Sequence, residues 1–214
     1  MQGGTRRRCT TLLAGFVALG TVGCAAPTVP ILARAQIAPD FQTYDIRRVA
    51  LLPPMGPRDT DTPRPAALNE LQDDLLGFLS SGTPFEFVEL SRADLGEIQR
   101  DDPIRDGRLS IDSLLGIAER FRVEAVFYSQ VTREQLYPPL SVGLQAEMVS
   151  VDTGQVLWTA DVQLSGDDAP VRDAIRDFYE REQGEREGGD GWKVALVSPR
   201  RFTRFAAWQL AQLL

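Results

Sequence analysis

The sequence predicts one α/β (α+β) domain, in which helices pack on a single mixed β-sheet that ends in a long antiparallel hairpin followed by C-terminal helices. Three observations support this class. Apolar runs of strand length alternate with segments of helical periodicity between residues 46 and 131. Two arms of apolar–polar alternation follow at 140–165, and two more helical patterns end the chain. Alternating strands and helices favour parallel strands, whereas a hairpin adds antiparallel ones.

The first half of the predicted domain contains two strands and two helices. The apolar run at residues 49–52 is typical of a central strand, and Pro53 ends it because proline cannot donate to a β-ladder. Residues 65–81 carry leucines on one helical face, namely Leu68, Leu71, Leu75, Leu76 and Leu79. A strand at 85–90 then leads into a short helix that opens with a capping box at residues 91–94.

The next elements are a helix, a strand and the hairpin. Ser110 is a suitable N-cap, and the helix after it has an apolar face predicted from Ile111, Leu114, Leu115, Ala118 and Phe121. Residues 123–131 are rich in β-branched and aromatic side chains, which favours a second central strand. The hairpin turns at residues 152–154, where Gly154 suits the left-handed position.

Two helices are predicted after the hairpin. The first covers residues 168–182, and the Gly- and Glu-rich segment at 183–191 that follows it is predicted to be mobile. Ser198 and Pro199 form an N-cap and first-turn pair that opens the last helix. Its inward face is predicted from Phe202, Phe205, Ala206, Leu210 and Leu213.

The N-terminus has the three parts of a secretory signal. Three arginines at residues 6–8 precede a short apolar run at 12–22, and small residues lead up to Cys24. With a cysteine at the cleavage site, the segment resembles a bacterial lipoprotein signal. That resemblance implies cleavage before Cys24, a diacylglycerol thioether on its sulfur and acylation of its new amino group. An ordinary cleaved signal and a retained anchor are the alternatives.

These features predict three regions. Residues 1–23 are the signal peptide, residues 24–45 are a lipidated tether rich in Ala and Pro, and residues 46–214 are the domain. Ala25 follows the cysteine, whereas an Asp at this place retains enterobacterial lipoproteins in the inner membrane. The resemblance therefore implies the periplasmic face of the outer membrane.

Composition excludes several functions. The formal charge is −7, and the signal contains arginines but no acid, so the mature chain is more acidic still and unsuited to nucleic acid. The chain has no histidine, and its two cysteines are Cys9 and Cys24. A mature domain without thiol or imidazole has no His-based triad, histidine metal site or cysteine nucleophile. We therefore predict no catalytic residue, no metal and no cofactor.

Four segments carry a further resemblance: residues 49–53, 87–95, 123–131 and 149–158. In this order, behind a lipoprotein signal, they resemble bacterial envelope lipoproteins with a domain like the amino-terminal domain of TolB. The group includes the curli secretion lipoprotein CsgG and the penicillin-binding-protein activator LpoB. The resemblance implies an adaptor, activator or assembly subunit and not an enzyme, and it does not extend beyond about residue 167.

The main hypothesis is a lipid-anchored envelope protein that docks a protein partner. Trp192 follows a Gly-rich segment, where an aromatic side chain is expected to be exposed and to anchor an interface. Arg200, Arg201 and Arg204 form a small basic spot that either contacts a partner or is solvated at a helix end. The alternatives are a homo-oligomeric subunit of a secretion or envelope complex, and a cell-wall hydrolase that uses carboxylates.

Overall fold

The computed structural model describes residues 29–56, 70–98, 104–105, 108–183 and 191–214. Within them, the strands are β1 (Arg34–Ile37), β2 (Arg48–Leu51), β3 (Glu86–Glu89), β4 (Ile104–Arg105), β5 (Arg108–Leu109), β6 (Ala125–Gln135), β7 (Ser141–Ser150) and β8 (Val156–Ser165). The helices are α1 (Leu71–Gly82), α2 (Arg92–Ile98), α3 (Ile111–Phe121), α4 (Ala169–Gln183) and α5 (Pro199–Ala211), with 3₁₀ helices at Phe41–Thr43 and Gly191–Leu196.

Six strands form one mixed sheet, which confirms the predicted fold class. Their order is β1-β8-β7-β6-β2-β3, and β4 and β5 form a separate two-stranded ribbon. β2 pairs in parallel with β3 and with β6, whereas β6, β7, β8 and β1 pair antiparallel. Val49, Ala50 and Leu51 of β2 are fully buried, as expected for a central strand with helices on both faces.

The main core lies between one face of the sheet and the helices α1, α4 and α5. The largest buried side chains of the chain include Phe127, Trp158, Phe202 and Phe205, which belong to this core. Phe178 of α4 connects the helices to one another, because its ring contacts Phe78 of α1 as well as Phe205 and Trp208 of α5. Aromatic packing therefore contributes to how these three helices meet.

The opposite face of the sheet is covered over only part of its width. Leu114 and Ile117 of α3 pack on Ala50 of β2 and Val126 of β6, in a second apolar cluster. On β7 and β8, this face instead carries half-exposed or exposed polar side chains: Gln145, Glu147, Thr159, Asp161 and Gln163. The sheet therefore has a covered half and an open polar half on this side.

The predicted hairpin and helix caps are confirmed. Gly154 has a φ of +68° at the turn between β7 and β8, the left-handed conformation that glycine adopts most readily. Ser110 and Ser198 accept hydrogen bonds from the backbone at the starts of α3 and α5. At α2, the Asp94 carboxylate accepts from Ser91 N at 2.8 Å, and the Ser91 hydroxyl holds the pKa of Asp94 below its ordinary value.

The predicted tether needs a correction, because the fold begins before residue 46. β1 pairs with β8 along its whole length, and Val29 and Ala33 are buried in the main core. A four-residue strand is too short to show periodicity, so its Ala- and Pro-rich surroundings resembled a linker. Four predictions lie outside the described residues: the signal, the lipidation at Cys24, the helix start at residue 65 and, except for its two end residues, the segment 183–191 that was predicted to be mobile.

Ser129 of β6 provides a test of the core. Its side chain is fully buried, and its Oγ has no hydrogen-bond partner among the described residues. An unpaired buried hydroxyl costs about 1–3 kcal/mol, so we expect Ser129→Ala to raise the free energy of unfolding by about 1 kcal/mol in urea titrations. Ser113 is equally buried but accepts or donates a 2.7 Å hydrogen bond with Ser110. Ser113→Ala should therefore lower the free energy of unfolding. If both substitutions lowered the free energy of unfolding, the prediction would be contradicted.

Candidate functional site

The predicted basic spot is an ion-pair cluster between α5 and α1. Arg200 and Arg204 lie four residues apart, so both side chains are on one face of α5. The Asp74 carboxylate of α1 accepts from Arg204 Nη1 at 3.0 Å and from Arg200 Nη2 at 3.1 Å. Arg200 also pairs with Glu70 at the start of α1. The Asp74 side chain is 3% exposed, so one buried carboxylate is shared by two guanidinium groups.

The cluster extends to aromatic rings on two helices. The Arg204 guanidinium lies 4.9 Å from the ring centroid of Phe78, one turn after Asp74. Arg201 lies over the ring of Tyr179 in α4, and the Tyr179 hydroxyl donates to the Arg201 carbonyl oxygen at 2.7 Å. The three arginines therefore connect α5 to α1 and α4.

Burial and the adjacent Arg204 charge lower the pKa of Arg200 from its ordinary value. That ordinary value is so high that Arg200 remains a cation at neutral pH. Its charge is compensated within the fold by Asp74 and Glu70. A partner contact by Arg200, Arg201 or Arg204 stays a prediction, but their observed role is to join helices.

Trp192 is less exposed than its sequence context indicated, and a partner contact by it stays a prediction. It is half-buried and packs against the main core. Residues three apart share a face of a 3₁₀ helix, so Trp192 and the fully buried Ala195 point inward together. Val194 and Val197 are exposed instead. The glycine-rich segment before Trp192 was therefore a poor guide to its exposure.

An exposed apolar surface lies on α3. Ile111 is 71% exposed and Leu115 is 50% exposed, and side chains four apart are neighbours on a helix. Asp112 and Glu119 are exposed on the same side, and we name these four residues the α3 patch. The patch consists of two apolar side chains flanked by two carboxylates.

The sequence prediction placed Ile111 and Leu115 inward, which was wrong. The apolar positions of this helix span too wide an arc to be buried together. The contact with α2 determines which part of α3 is covered. α3 approaches α2 so closely at Gly116 that a Cβ there would lie 2.5 Å from Cγ2 of Ile98. This close approach puts Gly116 and the buried Ser113 and Ile117 toward the domain. Small residues three apart were the signal that could have identified the inner face.

The described residues were compared with the requirements of a metal site and of a membrane-spanning helix. Within these ranges, no group of three or more acidic, cysteine or histidine side chains is placed to hold a metal ion. None of the helices there combines the length and apolar character that crossing a bilayer requires. The features that the described residues do provide are the exposed α3 patch and the ion pairs of the buried Asp74.

No protein-family model and no curated protein matches the sequence. Solved structures similar to the chain include the PelC dodecamer from Paraburkholderia phytofirmans, with 13% identity, 81% of this chain and 95% of that chain covered, and a TM-score of 0.43. Lipoprotein GNA1162 from Neisseria meningitidis has 13% identity, covers 65% of this chain and 98% of that chain, and has a TM-score of 0.41.

The LpoB C-terminal domain from Escherichia coli has 19% identity, covers 59% of this chain and 93% of that chain, and has a TM-score of 0.38. LpoB is also a member of the group that the sequence segments resemble. At these identities and TM-scores, the likenesses do not show what the chain binds. Its function has to be inferred from its own residues.

Asp74 and its neighbour Asp73 allow a matched test of the ion-pair cluster. Both carboxylates are in the first turn of α1, but Asp73 is exposed. Asp74→Asn leaves two guanidinium groups without their buried counter-charge. We expect a loss of about 2 kcal/mol in the free energy of unfolding, below the 3–5 kcal/mol for fully buried pairs because the arginines are partly exposed.

The control is Asp73→Asn, which removes the same charge from the same helix turn. Its effect should stay within about 0.5 kcal/mol in the same urea titration. Equal losses for the two substitutions would show that the helix dipole, and not the arginine pairing, accounts for the effect.

Proposed function

We propose that the chain is a non-enzymatic envelope lipoprotein, anchored through Cys24 on the periplasmic face of the outer membrane, whose domain docks a protein partner through the α3 patch. The observation that carries the proposal is the exposure of Ile111 and Leu115 side by side. Large apolar side chains of a folded domain are mostly buried. Where such side chains are exposed next to each other, they are typical of an interaction site.

The patch is large enough to contribute to binding. Full burial of a Leu or Ile side chain stabilises by about 1.5–3 kcal/mol. Ile111 and Leu115 retain half or more of their exposure. A partner that covers both would therefore gain roughly 2–4 kcal/mol, which is the size of a typical interface hot spot.

The charges around the patch indicate the chemistry of the partner. Asp112 and Glu119 are exposed beside the apolar pair. Arg120 of the same helix does not offset them, because it pairs with Glu97 of α2 at 2.5 Å. The chain as a whole is acidic. A complementary partner has an apolar centre with lysines or arginines around it.

Two features support a binding function over catalysis. The sequence has no histidine, and its cysteines are confined to residues 9 and 24. The carboxylates with the strongest interactions have structural roles, since Asp74 joins helices and Asp94 caps one. Lipid anchoring would add to binding by restricting the domain to a surface, which raises its effective concentration near membrane-bound partners.

The test is photo-crosslinking in intact cells, with a photoreactive amino acid at position 115 or, as a control, at position 197. Val197 is also exposed and apolar but lies between the 3₁₀ helix Gly191–Leu196 and α5, outside the α3 patch. We expect one envelope protein to be crosslinked from position 115 and not from position 197. Ile111→Ala should reduce the yield about tenfold, because about 1.4 kcal/mol of apolar contact is lost.

The matched control for that substitution is Val194→Ala, which should leave the yield unchanged. Crosslinks to a partner from position 197 alone would contradict the α3 patch as the docking site. In purified components, binding that did not weaken as salt was raised would contradict a basic partner.

A homo-oligomer is the second candidate function. The observation in its favour is that, among the described strands, β1 and β3 each have a neighbour on one side only. Glu86 and Glu89 at the ends of β3 oppose edge-to-edge pairing there, as charged edge residues do in other sheets. A monomeric mass for the detergent-solubilised lipidated protein would dismiss this candidate, whereas self-crosslinks from both labelled positions would favour it.

A further inference from the structure

The chain enters its fold very soon after the predicted lipid attachment. Cys24 is followed by four residues before Val29, which is buried in the main core. An extended chain spans at most about 3.6 Å per residue, so the Cα atoms of Cys24 and Val29 are separated by no more than about 18 Å. Crossing the lipid headgroups takes up about 5–8 Å of this distance. Little length remains to lift the domain from a bilayer.

The segment that follows Val29 is firmly held. We name residues 29–33 the strap. The Leu32 backbone N–H donates to Gln209 Oε1 at 2.7 Å, and Gln209 Nε2 donates to the Pro30 carbonyl oxygen at 2.9 Å. Gln209 is fully buried in α5, so detaching the strap would leave a buried amide unpaired at a cost of about 1–3 kcal/mol. The strap therefore does not act as extra tether.

The strap and β1 expose two isoleucines at one edge of the sheet. Ile31 is 41% exposed and Ile37 is 59% exposed. Ile37 lies opposite Trp158 in the sheet, and Trp158 Nε1 donates to the Leu213 carbonyl oxygen at 2.9 Å. The half-buried Leu213 and the end of α5 therefore lie at the same edge. We name this surface the β1 edge.

The β1 edge is almost uncharged, although the protein is acidic. A quarter of all residues are charged. Residues 29–39 contain no acid and one cation, Arg34, and residues 205–214 contain no charged side chain. The exposed acid of the adjacent strand, Asp161, lies opposite Arg34 in the sheet. Segments with so little negative charge are only weakly repelled by anionic lipid headgroups, and exposed isoleucines gain free energy at the headgroup boundary.

We infer that the lipidated protein rests its β1 edge on the bilayer surface, with Ile31 and Ile37 at the level of the headgroups. This inference rests on the proposed function, because it requires a lipid on Cys24. β3 at the other side of the sheet is five strand spacings away, about 24 Å. The α3 patch belongs to the half of the sheet near β2 and β3, so it is turned away from the lipid and toward the periplasm.

The test uses the absence of other thiols from the mature chain. Single cysteines replace Ile31, Ile37 or, as the matched control, Leu115, all of which are exposed. An environment-sensitive fluorophore is attached to each lipidated protein in vesicles of phosphatidylethanolamine and phosphatidylglycerol. Nitroxide lipids should quench the labels at 31 and 37 at least about threefold more than the label at 115, because a tether of ~18 Å keeps that edge lowest.

A second variant tests the tether without touching the fold. A flexible Gly-Ser insertion of about twelve residues after Ala26 adds a mean reach of roughly 20 Å. Quenching at 31 and 37 should then fall toward the level at 115. Equal quenching at all three positions in the uninserted, vesicle-bound protein would overturn the inference and leave the anchor intact. Protein that is recovered without lipid by mass spectrometry would instead overturn the proposed function, and the inference with it.

Discussion

The shared carboxylate of Asp74 determines how the helices on the main face of the sheet are arranged. Four charged side chains meet at the junction of α1 and α5: Glu70, Asp74, Arg200 and Arg204. Arg204 also lies on Phe78, whose ring contacts Phe178 of α4. Burying a carboxylate is costly unless its partners are well placed, so few alternative positions of α5 are tolerated. The position of α5 in turn places Gln209 beside the strap. α5 therefore connects the ion pairs of Asp74 with the strap, through which the chain enters the fold.

Local signals were sufficient for most of the fold. The hairpin, the three serine caps and the central strands were predicted because turn chemistry, capping and apolar runs act over a few residues. β1 was missed because its stability comes from pairing with β8, more than 120 residues away, as in the register of Arg34 with Asp161. A four-residue segment contains no pattern of its own that could reveal such a partner.

The site was less predictable than the fold for a related reason. Arg200 and Arg204 were recognisable as a basic pair, but their partner Asp74 is 126 and 130 residues distant in sequence. The rotation of α3 depends on the close approach of Gly116 to Ile98 of α2. Apolar periodicity alone placed Leu115 on the core side, although it is 50% exposed. Exposure of single residues depends on such tertiary contacts.

The strap held by Gln209 has a consequence for where the protein can act. A domain of this size is roughly 40 Å across. In the proposed lipidated form, the short tether would keep the domain at a nearly constant height as it diffuses along the leaflet. Its partner must then present a complementary surface within about one domain diameter of the membrane. Proteins that remain deeper in the periplasm stay out of range however abundant they are, so height becomes a determinant of specificity alongside the chemistry of the contact.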